Sequence, residues 1–453
     1  MGTERLIVVS GDSHATMPLD AWEDYVEKKY HGLLPECRED NVQYTDILGH
    51  IFKLSPETLE VVDTEGRIAA GAFRGVWDLD TRLAEMDREG IAAEVVLLGD
   101  PRAMPLLGSV MRVYPQEVVA SGTRSYHRWL ADTFGPAKER LLLVGDPATA
   151  VDKAGILAEL DWMAANGFSV VQLPNVFGRL EPLPPLYDAW WDPFWAKCVE
   201  YGLIVGMHAG YGGEPAEFMT KLQGIKKKME AAGGNDLLNA VLNNTEDFFA
   251  LDLRPRRAMW HMMLGGVFDR FPGLRVIQCE LRTDWLPSTI AHLDAAWERV
   301  RGQVPAKRKP SEYWRDNWFA SQSFPAKIEV EMRHEIGLET LTFGRDYPHV
   351  EGTWPNTWDW LSGVFEGVPD NEVKMLLGEN AMRFFRLDRD RMAAIADRIG
   401  PTIDQIRGRK GCFDERMVAN WDKRGQYLKK IETAKPAEID KLLLKDMEAL
   451  GAN

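Results

Sequence analysis

Eight short apolar runs, rich in β-branched residues, recur along the chain: RLIVVSGDSH (5–14), AAEVVLLGD (92–100), RLLLVGD (140–146), FSVVQLPN (168–175), LIVGMHAG (203–210), LRVIQCE (274–280), WFASQSF (318–324) and LTFGRDYPH (341–349). Their apolar residues are continuous rather than alternating, as in parallel strands buried on both faces. After them come segments with helical spacing, among them TRLAEMDREG, PQEVVASGTRSYHRWLADTF, DKAGILAELDWMAANG, YDAWWDPFWAKCVEYG, PRRAMWHMMLGGVFDRFP, LPSTIAHLDAAWERV, AKIEVEMRHEIG and NEVKMLLGENAMRFF. Several end in Gly or run into Pro, the usual helix stops. Strand–helix alternation repeated eight times predicts an α/β protein of the (β/α)8 TIM-barrel class. An open doubly wound sheet is the alternative, but no GxGxxG or Walker-type loop follows any of the runs.

Two stretches exceed a bare barrel. Residues 15–80 follow the first run and residues 211–253 follow the fifth. Insertions after a strand's C-terminal end project over the barrel mouth, so both are candidate lids. The expected organisation is a catalytic barrel over 1–386 and a charged helical extension over 387–453, the latter for packing or dimerisation.

Composition narrows the function. Hydrophobic residues make up 45% of the 453 and charged residues 27%, the balance of a soluble globular protein. The net charge of −15 disfavours nucleic acid and anionic membranes as partners. The four cysteines (Cys37, Cys198, Cys279, Cys412) form no CxxC pair, which argues against a disulfide framework and for a reducing compartment. No run approaches membrane-span length, and the N-terminus lacks the long apolar core of a signal peptide. A cytoplasmic homodimer acting on a small molecule is the expectation.

In such a barrel the chemistry comes from the C-terminal ends of the strands. Those ends supply Asp12 and His14, Gln172, His208, Glu280, Ser321 or Ser323, then Asp346 and His349. Asp12 and His14 are two apart, so an extended strand turns them to one side. Carboxylate oxygen with imidazole nitrogen is an ordinary ligand set for a divalent transition metal. Singly, each residue has another reading: a strand-end His is often structural, and an Asp in GRDYPH can cap a turn. Jointly, Asp12, His14, His208, Glu280 and Asp346 are the candidate ligands of a divalent ion (Zn, Mn or Fe). Asp346, Glu280 and His349 are the candidate catalytic groups, and no organic cofactor site is expected. Most tryptophans read as core, although Trp285 and Trp354 are placed to line a pocket for a bulky apolar or aromatic acid.

The Asp-x-His, fifth-strand His and eighth-strand Asp pattern resembles the amidohydrolase superfamily. Over residues 5–386 the chain is most similar to its amidohydrolase-2 branch, which includes aminocarboxymuconate-semialdehyde and γ-resorcylate decarboxylases. GDSHATMP, WDLDTRLAEMDREGIAAEVV, YDAWWDPFWAKCVEYGLIVGMHAG, GVFDRFPGLRVIQCE, GRDYPHVEGTWP and GENAMRFF carry the resemblance. The departures matter. The fourth strand offers Gln172 and no lysine for carbamylation, and the sixth-strand end has Cys279-Glu280-Leu281-Arg282 where decarboxylase relatives keep a His. Arg345 precedes Asp346 where relatives often have Ser, placed to contact it or an anionic substrate. Three activities stay open. The leading expectation is hydrolysis of a carbonyl-containing small molecule by metal-activated water, with Asp346 as base. The second is non-oxidative decarboxylation of an aromatic or unsaturated acid. The third is oxygen activation by two irons, as a monooxygenase, if Glu280 bridges them.

Overall fold

The computed structural model describes residues 4–42, 56–99, 104–107, 114–176, 183–209, 253–322, 325–349, 352–409 and 436–452, with scattered positions in between. Most of the 211–253 insertion lies outside the described residues.

Nine short strands, all paired in parallel, form the sheet: β1 (Val9–Ser10), β2 (His14–Ala15), β3 (Ala93–Leu98), β4 (Leu141–Gly145), β5 (Val170–Gln172), β6 (Ile204–His208), β7 (Val276–Cys279), β8 (Trp318–Ser321) and β9 (Leu341–Thr342). Their order is β1-β3-β4-β5-β6-β7-β8-β9, with β2 also on β3. The first and last strands close the ring: Gly11 N–H donates to Phe343 O at 2.9 Å and His14 N–H to Tyr347 O at 2.8 Å. This is the expected barrel of eight parallel strands, with one refinement. The first run is broken between β1 and β2, because the Asp12 carbonyl accepts from Ser10 Oγ at 2.8 Å and from Asp346 N–H at 3.2 Å instead of from a neighbouring strand. Gly11 permits the break: a Cβ there would stand 2.3 Å from Ser321 Oγ.

Helices alternate with the strands: α1 (Leu79–Arg88), α2 (Gln116–Phe134), α3 (Lys153–Ala165), α4 (Asp192–Tyr201), α5 (Leu253–Leu264), α6 (Leu286–Val300), α7 (Pro310–Asn317), α8 (Thr357–Val364), α9 (Asn380–Phe385), α10 (Arg389–Ile399) and α11 (Pro436–Ala449). Their local signals are ordinary. Asp78 and Asp152 cap α1 and α3 through Thr81 N–H and Gly155 N–H, and Gly202 ends α4 in the left-handed conformation (φ 70°). The helices bury the barrel, so all six residues of β3 are inaccessible, Glu94 among them. The first insertion closes over the strand ends, where Val76 O accepts from Thr16 N–H at 3.0 Å and Ala72 O from the Tyr347 hydroxyl. Among the described residues no helix is long and apolar enough to cross a membrane.

Candidate metal centre

The candidate ligands and catalytic groups from four strand ends meet in one cluster, which Gln172 and Ser321 do not join; Ser323 lies outside the described residues. Asp12 sits in the break between β1 and β2, His14 opens β2, and His208 ends β6. The β6–β7 register pairs His208 with Cys279, which carries Glu280 in beside it: His208 Nε2 lies 2.7 Å from Glu280 Oε2. His14 Nε2 stands 3.6 Å from Asp12 Oδ1 and 3.2 Å from Asp346 Oδ1, while His349 Nδ1 stands 3.0 Å from Asp346 Oδ1. The His14 and His349 rings stack with centroids 3.9 Å apart. His14 donates from Nδ1 to the Leu98 carbonyl at 2.8 Å, which fixes the tautomer and turns the Nε2 lone pair into the cluster.

These groups form two overlapping sets with metal-ligand spacing. Asp12, His14 and His208 make one; His14, Glu280, Asp346 and His349 make the other. Both oxygens of Asp12, both of Asp346, and Nε2 of His14 and of His208 are buried and lack a hydrogen-bond partner among the described residues. Buried acceptors converging without a donor are what a cation satisfies. The electrostatics agree. Burial, reinforced by the Asp346 charge, pushes Asp12 well above the usual carboxylate range. Burial works the same way on Asp346, but His349 and His14 outweigh it and hold that carboxyl low. Burial and His349 lower His14 to about 4. His208 is raised to about 9, since the pull of Glu280 exceeds the desolvation that opposes it. A divalent ion would take the place of the shared protons and favour the deprotonated ligands throughout.

Two of the carboxylates are held in strained backbone. Glu280 (φ 54°) and Asp346 (φ 52°) occupy the left-handed region, at about 1–3 kcal/mol each, a cost met mostly at functional sites. The neighbour of Asp346 departs from expectation. Arg345 touches neither Asp346 nor open space; it is fully buried and binds Glu94 through Nε and Nη2 (2.9 and 2.8 Å) and Glu89 through Nη1 (2.9 Å). Arg82 joins from α1, 3.3 Å from Glu94 Oε1, and donates to the His14 carbonyl at 2.5 Å. Sequence reasoning missed Arg82, Glu89 and Glu94, because charges in the middle of a helix or an apolar strand read as solvent-facing. It also left His349 outside the candidate ligands, although its ring nitrogen stands beside Asp346. Trp354 packs edge-on to Tyr347 at 5.0 Å and donates to Glu85 at 3.0 Å, so it supports the wall of the site.

Comparison with known proteins adds the chemical context. A family model described as amidohydrolase matches residues 45–387. γ-Resorcylate decarboxylase of Rhodococcus jostii (strain RHA1) is 26% identical over 325 residues, covering 68% of this chain and 88% of that protein. Among solved structures, an amidohydrolase from Mycobacterium avium subsp. paratuberculosis K-10 superposes with a TM-score of 0.58 at 19% identity, over 84% of this chain and 99% of the other. A dihydroxybenzoic acid decarboxylase from Polaromonas sp. JS666, with bound manganese and the inhibitor 2-nitroresorcinol, gives 0.50 at 18% identity, over 84% and 97%. The expectation of hydrolysis is corrected by these relatives, whose curated representatives are decarboxylases. The physical reason is that the same ligand set serves either reaction: it can activate water or grip a substrate carboxylate. From the sixth-strand end, where decarboxylase relatives keep a His, Glu280 brings an ionisable group into the cluster. Iron and oxygen activation find no support in these relatives.

Proposed function

We propose, because the chain belongs to the amidohydrolase family whose model spans residues 45–387, that it is a metal-dependent, non-oxidative decarboxylase of an aromatic acid. The observation that carries this reading is the alignment with a γ-resorcylate decarboxylase along 88% of that enzyme, together with the ligand cluster at the barrel mouth. Asp12, His14, His208 and Asp346 are the residues that would hold the ion, with Glu280 and His349 at its edge. A divalent ion there supplies fixed positive charge that binds a carboxylate and a neighbouring ring oxygen.

This chain's residues supply the rest. Decarboxylation breaks the bond between ring and carboxyl carbon; CO₂ leaves, the electron pair stays on the ring carbon, and a proton replaces CO₂ there. Glu280, with a side chain 10% exposed, is positioned to hold that proton away from bulk water. His349, 32% exposed and next to Asp346, offers the route by which solvent restores it. The enclosing first insertion and the buried Tyr347–Trp354 pair exclude water that would compete for the ion.

The test is CO₂ release from γ-resorcylate by the manganese-loaded protein, with resorcinol as co-product. His208→Ala is expected to remain folded while losing metal and turnover together. Glu280→Gln is expected to keep its metal and lose at least ~100-fold in rate. Absence of CO₂ release from any hydroxylated benzoate by metal-loaded protein refutes the reading, and full metal retention by His208→Ala refutes the ligand assignment.

A further inference from the structure

One edge of a guanidinium, formed by Nε and Nη2, matches a carboxylate in shape and charge. At three described arginines that edge is filled by a carboxylate. Arg257 Nε and Nη2 reach the two oxygens of Asp446 at 2.8 and 2.7 Å, Arg345 presents the same pair to Glu94 at 2.9 and 2.8 Å, and Arg270 to Asp192 at 3.1 and 3.0 Å. Arg256 is different. It is only 2% exposed, and its Nη1 donates to Thr289 Oγ1 at 3.2 Å, yet Nε and Nη2 have no hydrogen-bond partner among the described residues. The guanidinium carbon lies 4.5 Å from the ring centre of Trp285, whose buried Nε1 is also without a partner. Three donors sealed from water and unused are costly, the more so on a cation.

Their place in the fold gives them a role. Helices of a (β/α)8 barrel start at the end where the strands finish. Arg256 belongs to the first turn of α5, Thr289 to the first turn of α6, and Trp285 closes the loop that Glu280 opens. Among the described residues no carboxylate bonds to the guanidinium of Arg256. Asp284, the acid whose charge acts on Arg256, already accepts from Arg282 at 3.2 Å, and Arg282 lies 3.6 Å from Glu329, whose proton affinity burial raises. Burial lowers Arg256 only to about 10, so it stays cationic at neutral pH.

We infer that the open edge of Arg256, with Trp285 beneath it, receives a second carboxylate of the substrate, which makes the substrate a diacid. The first carboxylate is the one the decarboxylase reading assigns to the metal cluster, and the inference rests on that reading for its location only. The departing carboxylate and the retained one then have separate holders. Trp285 contributes an aromatic face and one N–H; Arg256 contributes the charge.

The probes are salicylate and 4-hydroxyisophthalate, which share the carboxyl-plus-hydroxyl edge and differ by the added carboxylate. Calorimetric titration of the metal-loaded protein is expected to give at least ~10-fold tighter binding of the diacid, the worth of a charged hydrogen-bonded pair. Arg256→Gln should bring that ratio to about one, leaving salicylate affinity and metal content unchanged. Trp285→Phe, which keeps the ring and removes the N–H, should reduce the ratio about 3-fold and serves if Arg256→Gln does not fold. A wild-type ratio near one, or a ratio that survives both substitutions, overturns the inference. CO₂ release plays no part in this measurement, so loss of the decarboxylase reading with the diacid preference intact, or the reverse, is distinguishable.

Discussion

At the scale of single residues, the cluster is backed by a set of fully buried charges, Arg82, Arg345, Glu89 and Glu94. Arg345 stands next to Asp346 in sequence but points the other way, into Glu94 and Glu89. Burial alone would lower its proton affinity; the two glutamates outweigh that and push it above the ordinary guanidinium range. Arg82 completes the network and holds the His14 carbonyl, so one buried set of charges braces the backbone beside the candidate ligands His14 and Asp346. Removing one member leaves the others buried and unpaired. Arg345→Met is therefore expected to destabilise the fold by about 3–5 kcal/mol in urea unfolding and to weaken manganese binding. Arg345→Lys should recover part of the stability but less of the metal affinity, because an ammonium cannot span Glu94 and Glu89 at once. Unchanged stability in Arg345→Met would show that the network is dispensable. The position was visible in GRDYPH; the direction of its side chain was not, because a buried partner on β3 looks like any other acid in a strand.

At the scale of elements, most strand and helix assignments were legible because apolar runs and 3.6-residue spacing are local signals. The exceptions have local causes too. α7 (Pro310–Asn317) and α8 (Thr357–Val364) are eight residues each, too short and too mixed to show a clear apolar stripe. Helix-to-helix contacts were less legible still. α2 and α3 are joined by Glu159, which accepts from His127 Nδ1 at 2.9 Å and pairs with Arg128. His127 Nε2 accepts from Asp146 N–H at 2.9 Å, and burial lowers the proton affinity of that ring, so it is a neutral donor and Arg128 supplies the countercharge. Burial would raise Glu159, but these partners bring it from 4.5 down to about 2. A depressed carboxyl stabilises the fold above its unfolded pKa and loses that contribution as pH falls through the folded one. Glu159→Gln should accordingly lose about 1–3 kcal/mol at pH 7, with the difference from wild type shrinking between pH 4.5 and 2. A deficit that does not change across that window would assign the effect to packing.

At the scale of the whole molecule, the C-terminal helix packs Ile439, Leu443 and Met447 into the core, pairs Asp440 with His292 at 2.8 Å, and is tied most closely through Asp446. Asp446 of α11 accepts from Arg257 and from Trp260 Nε1 at 2.8 Å and lies 3.1 Å from His261, all on α5. That helix also carries Arg256, so the extension buttresses the element that bears the proposed diacid anchor. Asp446→Asn is expected to speed amide exchange in residues 436–449, consistent with a loss of about 2–4 kcal/mol of local stability, while metal content holds. Unaltered protection there would show that apolar contacts alone dock the helix. The sequence by itself determined the barrel, the strand ends that bear the chemistry and the candidate ligands, because burial of parallel strands and the two-residue alternation of side chains are written in nearest neighbours. Only the tertiary structure decided which way Arg345 turns, that Glu280 meets His208 across the β6–β7 register, and that the Nε–Nη2 edge of Arg256 is left open. Those depend on residues far apart in the chain, whose charges are satisfied or left wanting only once the barrel has closed.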